Sequence, residues 1–210
     1  MMFWLSSGGC YRPCLCVQEL IGGSLSPNNI DVPPLTLGVH WASGIVTPAN
    51  PTYTVDELTF QLKDSGAKAI ATLVELLPVV TKAAANAGIP EDRIILLGDT
   101  RIPKYKHWRE IHDPTQTMKW RRSKIDAAKD MAFLVYSSGT TGHPKGVMLS
   151  HQNVSSDVLM LMAAEGSNLS WQNDRIIAFL PFFHIYGLTC GLIPRRGERI
   201  ETDGSRFDSA

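Results

Sequence analysis

Met131-Ala132-Phe133-Leu134-Val135-Tyr136 runs without a break into Ser137-Ser138-Gly139-Thr140-Thr141-Gly142-His143-Pro144-Lys145-Gly146. The first six residues lack the alternation of a half-solvated strand, so 131–136 reads as a central strand buried on both faces. Strands of that kind belong to parallel sheets covered by helices, and this stretch therefore decides the fold class. The next ten residues are chemically different. Four hydroxyls and two glycines fill positions 137–142, and a lysine stands at 145. Glycine lets the backbone take positive φ and turn its N–H groups inward. The hydroxyls add neutral donors and Lys145 adds a positive charge, which together make a cradle for polyphosphate oxygens. The spacing is not G-x-x-x-x-G-K-[ST], because Gly146 stands where Ser or Thr would follow the lysine. A flexible Gly/Ser/Thr linker is the plainer alternative, but linkers seldom sit directly behind a buried strand.

Outward from this strand, short apolar runs alternate with helical patterns. Residues 44–47 read as a strand closed by Pro48 and Pro51. Thr54 and Glu57 form a capping box, Val55, Leu58 and Leu62 give the apolar stripe, and Gly66 supplies the stop. Further strands are expected at 69–73, 94–97 and 176–179, with a helix over 76–87 ended by Gly88. The expected class is α/β, a mostly parallel sheet with flanking helices. Residues 1–34, punctuated by Gly8-Gly9, Gly22-Gly23 and Pro33-Pro34, read as irregular. Residues 101–124 are rich in Lys and Arg with Tyr105, Trp108 and Trp120 interleaved. That composition suits a nucleic-acid patch, but a solvated connection explains it more simply.

The whole chain, 210 residues with 20 Lys plus Arg against 20 Asp plus Glu, carries no net charge. A strongly basic nucleic-acid binder and an acidic disordered chain are both disfavoured, so no nucleic-acid partner is expected. No run is apolar for the roughly 18 residues a membrane helix needs, so no membrane span is expected. Cys10, Cys14 and Cys16 cluster near the start without a spaced partner pair, and Cys190 stands alone. Neither pattern matches a zinc site. The apolar start Met1-Met2-Phe3-Trp4-Leu5 lacks a basic region, and the final Asp208-Ser209-Ala210 is not a Ser-Lys-Leu address. An intracellular, cytoplasmic chain is the default expectation, with a peroxisomal longer form as the alternative.

The stretch YSSGTTGHPKGVMLSHQN, residues 136–153, closely resembles the phosphate-binding signature of the adenylate-forming (AMP-binding) superfamily. That superfamily includes acyl-CoA synthetases, luciferases and peptide-synthetase adenylation domains. Residues 44–72, GIVTPANPTYTVDELTFQLKDSGAKAIAT, look like 4-coumarate–CoA ligase-like members, particularly fungal ones, and AFLPFFHIYGL at 178–188 is similar to the next family motif. The resemblance covers 35–191 as a partial adenylation domain and leaves 192–210 as a divergent, disordered tail. It implies ATP-dependent activation of a small-molecule carboxylic acid as acyl-adenylate, with transfer to coenzyme A as the second step.

On this pattern Ser137, Ser138, Gly139, Thr140, Thr141, Gly142 and Lys145 would hold the β- and γ-phosphates. His184, the candidate catalytic residue, would border the acyl pocket with Tyr186 and Gly187. A hydrogen-bonded core histidine is the competing reading of His184 taken in isolation. The family also uses Mg²⁺, but the resemblance puts its glutamate in a later Tyr-Gly-x-Thr-Glu motif beyond the matching stretch. Tyr186-Gly187-Leu188-Thr189 mimics that motif, with Cys190 in place of Glu, but its position marks it as the earlier one. The chain is thus expected to be an N-terminal-domain fragment of a ligase, poorly soluble and inactive in adenylation on its own. A catalytically inactive remnant that keeps only the phosphate loop is the alternative. An interaction module built on 101–124 is the third reading.

Overall fold

The computed structural model describes residues 21–111, 124–137, 144–165, 176–177, 179–189, 199–202 and 205–208. Seven strands form the main sheet, β1 (Ile21–Leu25), β2 (Ile45–Ala49), β3 (Ala69–Thr72), β4 (Ile94–Leu96), β5 (Lys106–His107), β6 (Met131–Ser137) and β7 (Lys145–Ser150). Their spatial order is β5-β4-β3-β1-β2-β6-β7, and every pairing is parallel except β6 with β7. The expected mostly parallel α/β architecture is therefore the observed one.

Order begins earlier than 1–34 as loop would allow. β1 lies at the centre of the sheet, and α1 (Val32–Trp41) comes after it. Both were hidden by residues that usually punctuate. A Cβ on Gly23 would lie 3.0 Å from Leu62 Cδ2, so this strand glycine lets a covering helix approach closely. Pro33 and Pro34 sit in the first turn of α1, where a missing N–H breaks no helical bond. Correspondingly, 131–136 is not the central strand: β6 stands next to the edge, between β2 and β7.

Local chemistry sets the remaining helices. Thr54 and Glu57 make the reciprocal capping box at the start of α2 (Val55–Ser65), and Gly66 ends it in the left-handed region at φ 68°. A 3-10 turn, Val74–Leu76, leads into α3 (Leu77–Asn86), after which Gly88 turns at φ 74°. Leu58, Leu62, Val80 and Ala83 face Leu25, Ile70 and Leu96 on one side of the sheet. On the other side Val32 and Leu35 of α1 join Val46, Ala71, Ile95 and Phe133. Successive residues of β3 and β4 thus serve opposite cores, as a sheet covered on both faces requires.

The 101–124 stretch is only partly a solvated connection. Its described part forms β5 and α4 (Trp108–Ile111), with His107 and Trp108 buried. Arg109 reaches back to the buried Asp31, whose Oδ1 accepts from Arg109 Nη2 at 2.8 Å and whose Oδ2 accepts from Gly98 N at 2.7 Å. A second tie joins α1 to β6: His40 Nε2 donates to the Ala132 carbonyl at 2.9 Å, with its ring edge-on to Phe133 at 4.6 Å. Burial lowers the His40 pKa from 6.5 to about 4, against the opposing pull of the Ala132 hydrogen bond and with a smaller push from His151.

The tail 192–210, expected to be disordered, contributes β9 (Arg199–Thr202) and β10 (Ser205–Asp208), paired antiparallel. β8 (Ile176–Ile177) joins β9 in this second, three-stranded sheet and is shorter than the strand expected over 176–179. In sequence, Asp203-Gly204 between β9 and β10 is a two-residue hairpin signal. Among the described residues no helix is long and apolar enough to cross a membrane.

Candidate functional site

β6 and β7 form an antiparallel hairpin with register Ser137↔Lys145, Tyr136↔Gly146 and Val135↔Val147. The hairpin brings the Ser137 hydroxyl and the Lys145 ammonium to the same end of the sheet; Ser137 is exposed and Lys145 is exposed. Of the other expected loop residues, Ser138, Gly139, Thr140, Thr141 and Gly142 lie outside the described residues. The return strand β7 was not anticipated, although Val147, Met148 and Leu149 come soon after the loop.

The base of the hairpin is locked by a residue to which the sequence reading assigned no role of its own. A Cβ on Gly146 would lie 3.2 Å from Tyr136 Cζ, so the Tyr136 ring lies across the glycine opposite it. Its hydroxyl donates to Asp64 Oδ2 at 2.5 Å, tying β6 to the end of α2. Burial first, then the Asp64 hydrogen bond and charge, raise the Tyr136 pKa, so the phenol stays protonated. A Tyr facing a Gly across a hairpin is a register device readable in principle from the Tyr-to-Gly spacing. After β7, Ser150 and Asn153 cap α5 (His151–Glu165): Asn153 N donates to Ser150 Oγ at 3.1 Å, and Ser150 N donates to Asn153 Oδ1 at 3.0 Å.

His184, Tyr186 and Gly187 come together on one short turn. His184 precedes α6 (Ile185–Gly187), and its Nδ1 accepts from Tyr186 N at 3.4 Å. The His184 ring and the Tyr186 side chain are exposed. The core-histidine reading of His184 therefore does not hold. Gly187, by contrast, is buried, and a Cβ there would lie 2.1 Å from the Pro181 carbonyl oxygen. Position 187 is glycine because the Pro181 backbone comes too close there for a side chain. Phe182 and Leu188 anchor this turn in the same core cluster as Phe133 and Val135 of β6. The β6–β7 hairpin and the His184 turn thus share one foundation. Among the described residues no group of three or more His, Cys, Asp or Glu side chains is placed to hold a metal ion.

The family model for AMP-binding enzymes matches residues 23–195, which takes in β1, the hairpin and the His184 turn. The chain belongs to the AMP-binding enzyme family. Among its curated relatives, a long-chain-fatty-acid–CoA ligase of Bacillus subtilis is 35% identical over 174 residues, covering 72% of this chain and 31% of the relative. A 4-coumarate–CoA ligase of Narcissus pseudonarcissus is 36% identical over 176 residues, covering 80% of this chain and 31% of the relative. The chain therefore spans about a third of the length of the curated relatives it matches. Among solved structures, a long-chain-fatty-acid–CoA ligase of Archaeoglobus fulgidus superposes with a TM-score of 0.73 at 27% identity, covering 88% of this chain and 35% of that one. An ATP-bound MatB of Rhodopseudomonas palustris superposes at 0.61 and 27% identity, covering 81% of this chain and 32% of that one. This family membership gives the strand-loop-strand of β6 and β7 its chemical context, and it places the chain close to 4-coumarate–CoA ligase-like proteins.

Proposed function

We propose that this chain carries the phosphate-binding part of an ATP-dependent acyl-CoA synthetase. The observation that supports this most is the β6–β7 hairpin, which sets a hydroxyl and a lysine opposite each other at the two ends of a Gly/Ser/Thr loop. In the proposed reaction a carboxylate oxygen attacks the α-phosphorus of ATP, forming the acyl–phosphate bond as the α–β bond breaks and pyrophosphate leaves. The thiol of coenzyme A then attacks the acyl carbon, the thioester forms, AMP leaves and the thiol proton passes to solvent. The first step brings a carboxylate against a triphosphate, so like charges must be held together. Ser137, the hydroxyls and backbone N–H groups of 138–142, and the Lys145 ammonium are the groups assigned to hold the β- and γ-phosphates and to stabilise departing pyrophosphate. His184 and Tyr186, presented to solvent on their turn, are assigned to border the carboxylic acid.

Long-chain fatty acids and 4-coumarate are substrates named for relatives, and an acid of either kind is the proposed substrate class. The test is ATP–pyrophosphate exchange with laurate and with 4-coumarate, on wild type and on Lys145→Ala. Exchange that depends on an acid and falls with the lysine variant upholds the ligase reading. The second reading, carried by the β6–β7 hairpin alone, is a chain that binds nucleotide without catalysis. Saturable ATP binding without exchange distinguishes it.

A further inference from the structure

We infer that Asn28 is the positioning residue for the turn that carries His184. Asn28 lies in the loop between β1 and α1, where Ser26-Pro27-Asn28-Asn29 has the composition of a turn. Its side-chain amide bonds to backbone 152 and 154 residues away in sequence. Nδ2 donates to the Leu180 carbonyl at 2.7 Å, and Oδ1 accepts from Phe182 N at 2.8 Å. One planar amide bonded to residues two apart on the same backbone acts as an added peptide group. It therefore sets the orientation of the segment as well as its distance.

Both ends of this clamp are anchored. On the Asn28 side, Val32 N donates to Asn29 O at 3.1 Å, and Asp31 N donates to Asn29 Oδ1 at 2.9 Å. The Asp31 carboxylate in turn accepts from Gly98 N and from Arg109, which fixes the loop to the sheet. On the other side the Phe182 ring is buried beneath the clamp, and His184 N donates to the Pro181 carbonyl at 3.1 Å. Gly187 then packs on Pro181 from behind. Both of these side-chain bonds fall on the backbone of 180–182, while the His184 and Tyr186 side chains are exposed. Asn28 acts on the turn through that backbone.

The assignment of acid binding to this turn rests on the proposed function, whereas the clamp itself does not, and the experiment separates them. Hydrogen exchange of the full chain by mass spectrometry compares wild type, Asn28→Ala and Asn28→Asp. In Asn28→Ala, amides of 182–189 are expected to exchange at least tenfold faster, while those of β3 and β4 keep their rates. In Asn28→Asp the ionised carboxylate keeps the acceptor but cannot donate to Leu180 O. Protection relative to wild type at the same pH should return as that carboxyl protonates, a recovery that a general loss of packing would not show. If Asn28→Ala does not fold, Asn28→Asp carries the test through this pH profile. Unchanged exchange at 182–189, or a uniform loss without recovery at low pH, overturns the proposal. Binding of 4-coumarate, measured in the same samples, tests the functional reading. Faster exchange at 182–189 with no effect on 4-coumarate binding upholds the clamp and removes the turn from the acid site.

Discussion

Acidification should cost this fold stability through one histidine, and the size of the loss is set by its surroundings. His40 donates to the Ala132 carbonyl and stacks edge-on against Phe133, and burial holds its pKa at about 4 against an ordinary 6.5. The neutral ring is the folded form. Because the folded-state value is depressed, the contribution is present in full above pH 6.5 and is lost as pH falls from there toward 4, levelling off below. The difference corresponds to about 3 kcal/mol over the full range and about 2 kcal/mol by pH 5. His151, whose ring lies 5.5 Å from His40, is also shifted down by burial and opposed by Asp130, so it adds to the same slope. Glu57 and Glu91, with pKa values lowered by their hydrogen bonds, lose their contributions at lower pH. The control is His40→Gln, whose amide donates to the same carbonyl but does not titrate. Urea unfolding monitored by circular dichroism at pH 7 and pH 5 should show wild type losing about 2 kcal/mol more than the variant. An identical pH dependence in the two proteins would refute the assignment of that loss to His40.

Other consequences can be checked on the same protein. Gly187→Ala should cost about 3 kcal/mol or undock the His184 turn, because the new Cβ would meet the Pro181 carbonyl 2.1 Å away; a thermal melt unchanged from wild type would contradict this. Thr54→Ala should lower stability by about 1 kcal/mol through loss of the α2 cap, read from urea midpoints, with Thr54→Asp restoring most of it. Val147 and Met148 are adjacent on β7 and so face opposite sides of the sheet edge, yet both are exposed, as are Leu159 and Met160 of α5. The isolated chain should therefore self-associate as its concentration rises, and Met148→Lys should raise the monomer fraction in size-exclusion chromatography. A monodisperse wild-type monomer at high concentration would count against that reading.

What could be read from the sequence was what local chemistry dictates. The Thr54–Glu57 box, the Gly66 stop and the apolar run 131–136 each state their structure within a few residues, and each of these elements is there. What escaped depended on partners far away. Gly23 looked like a turn because its reason, the approach of Leu62, lies on another element. Pro33-Pro34 looked like a breaker because a helix start carries little signal without a side-chain cap, and none is present at Asp31. Arg109 looked like surface charge because its buried partner Asp31 is 78 residues away. The same holds at the candidate site. Ser137, Lys145, His184, Tyr186 and Gly187 were named from their motifs, but the buried contact that makes position 187 glycine, and the bonds of Tyr136 and Asn28, exist only once the sheet is assembled.

The most direct test of the central claim is equilibrium binding of ATP to the 210-residue chain, measured by titration calorimetry for wild type and Lys145→Ala. The β6–β7 hairpin holds Lys145 opposite Ser137 at the mouth of the hydroxyl-rich loop, so the lysine should make a charge-assisted phosphate contact. Removing it should weaken ATP by roughly 10- to 150-fold, equivalent to about 1.5–3 kcal/mol, while leaving adenosine binding unchanged. Saturable ATP binding that weakens in this way is the predicted result. Absence of saturable binding in wild type, or equal ATP affinity in the two proteins, would contradict the claim that this loop is a polyphosphate site.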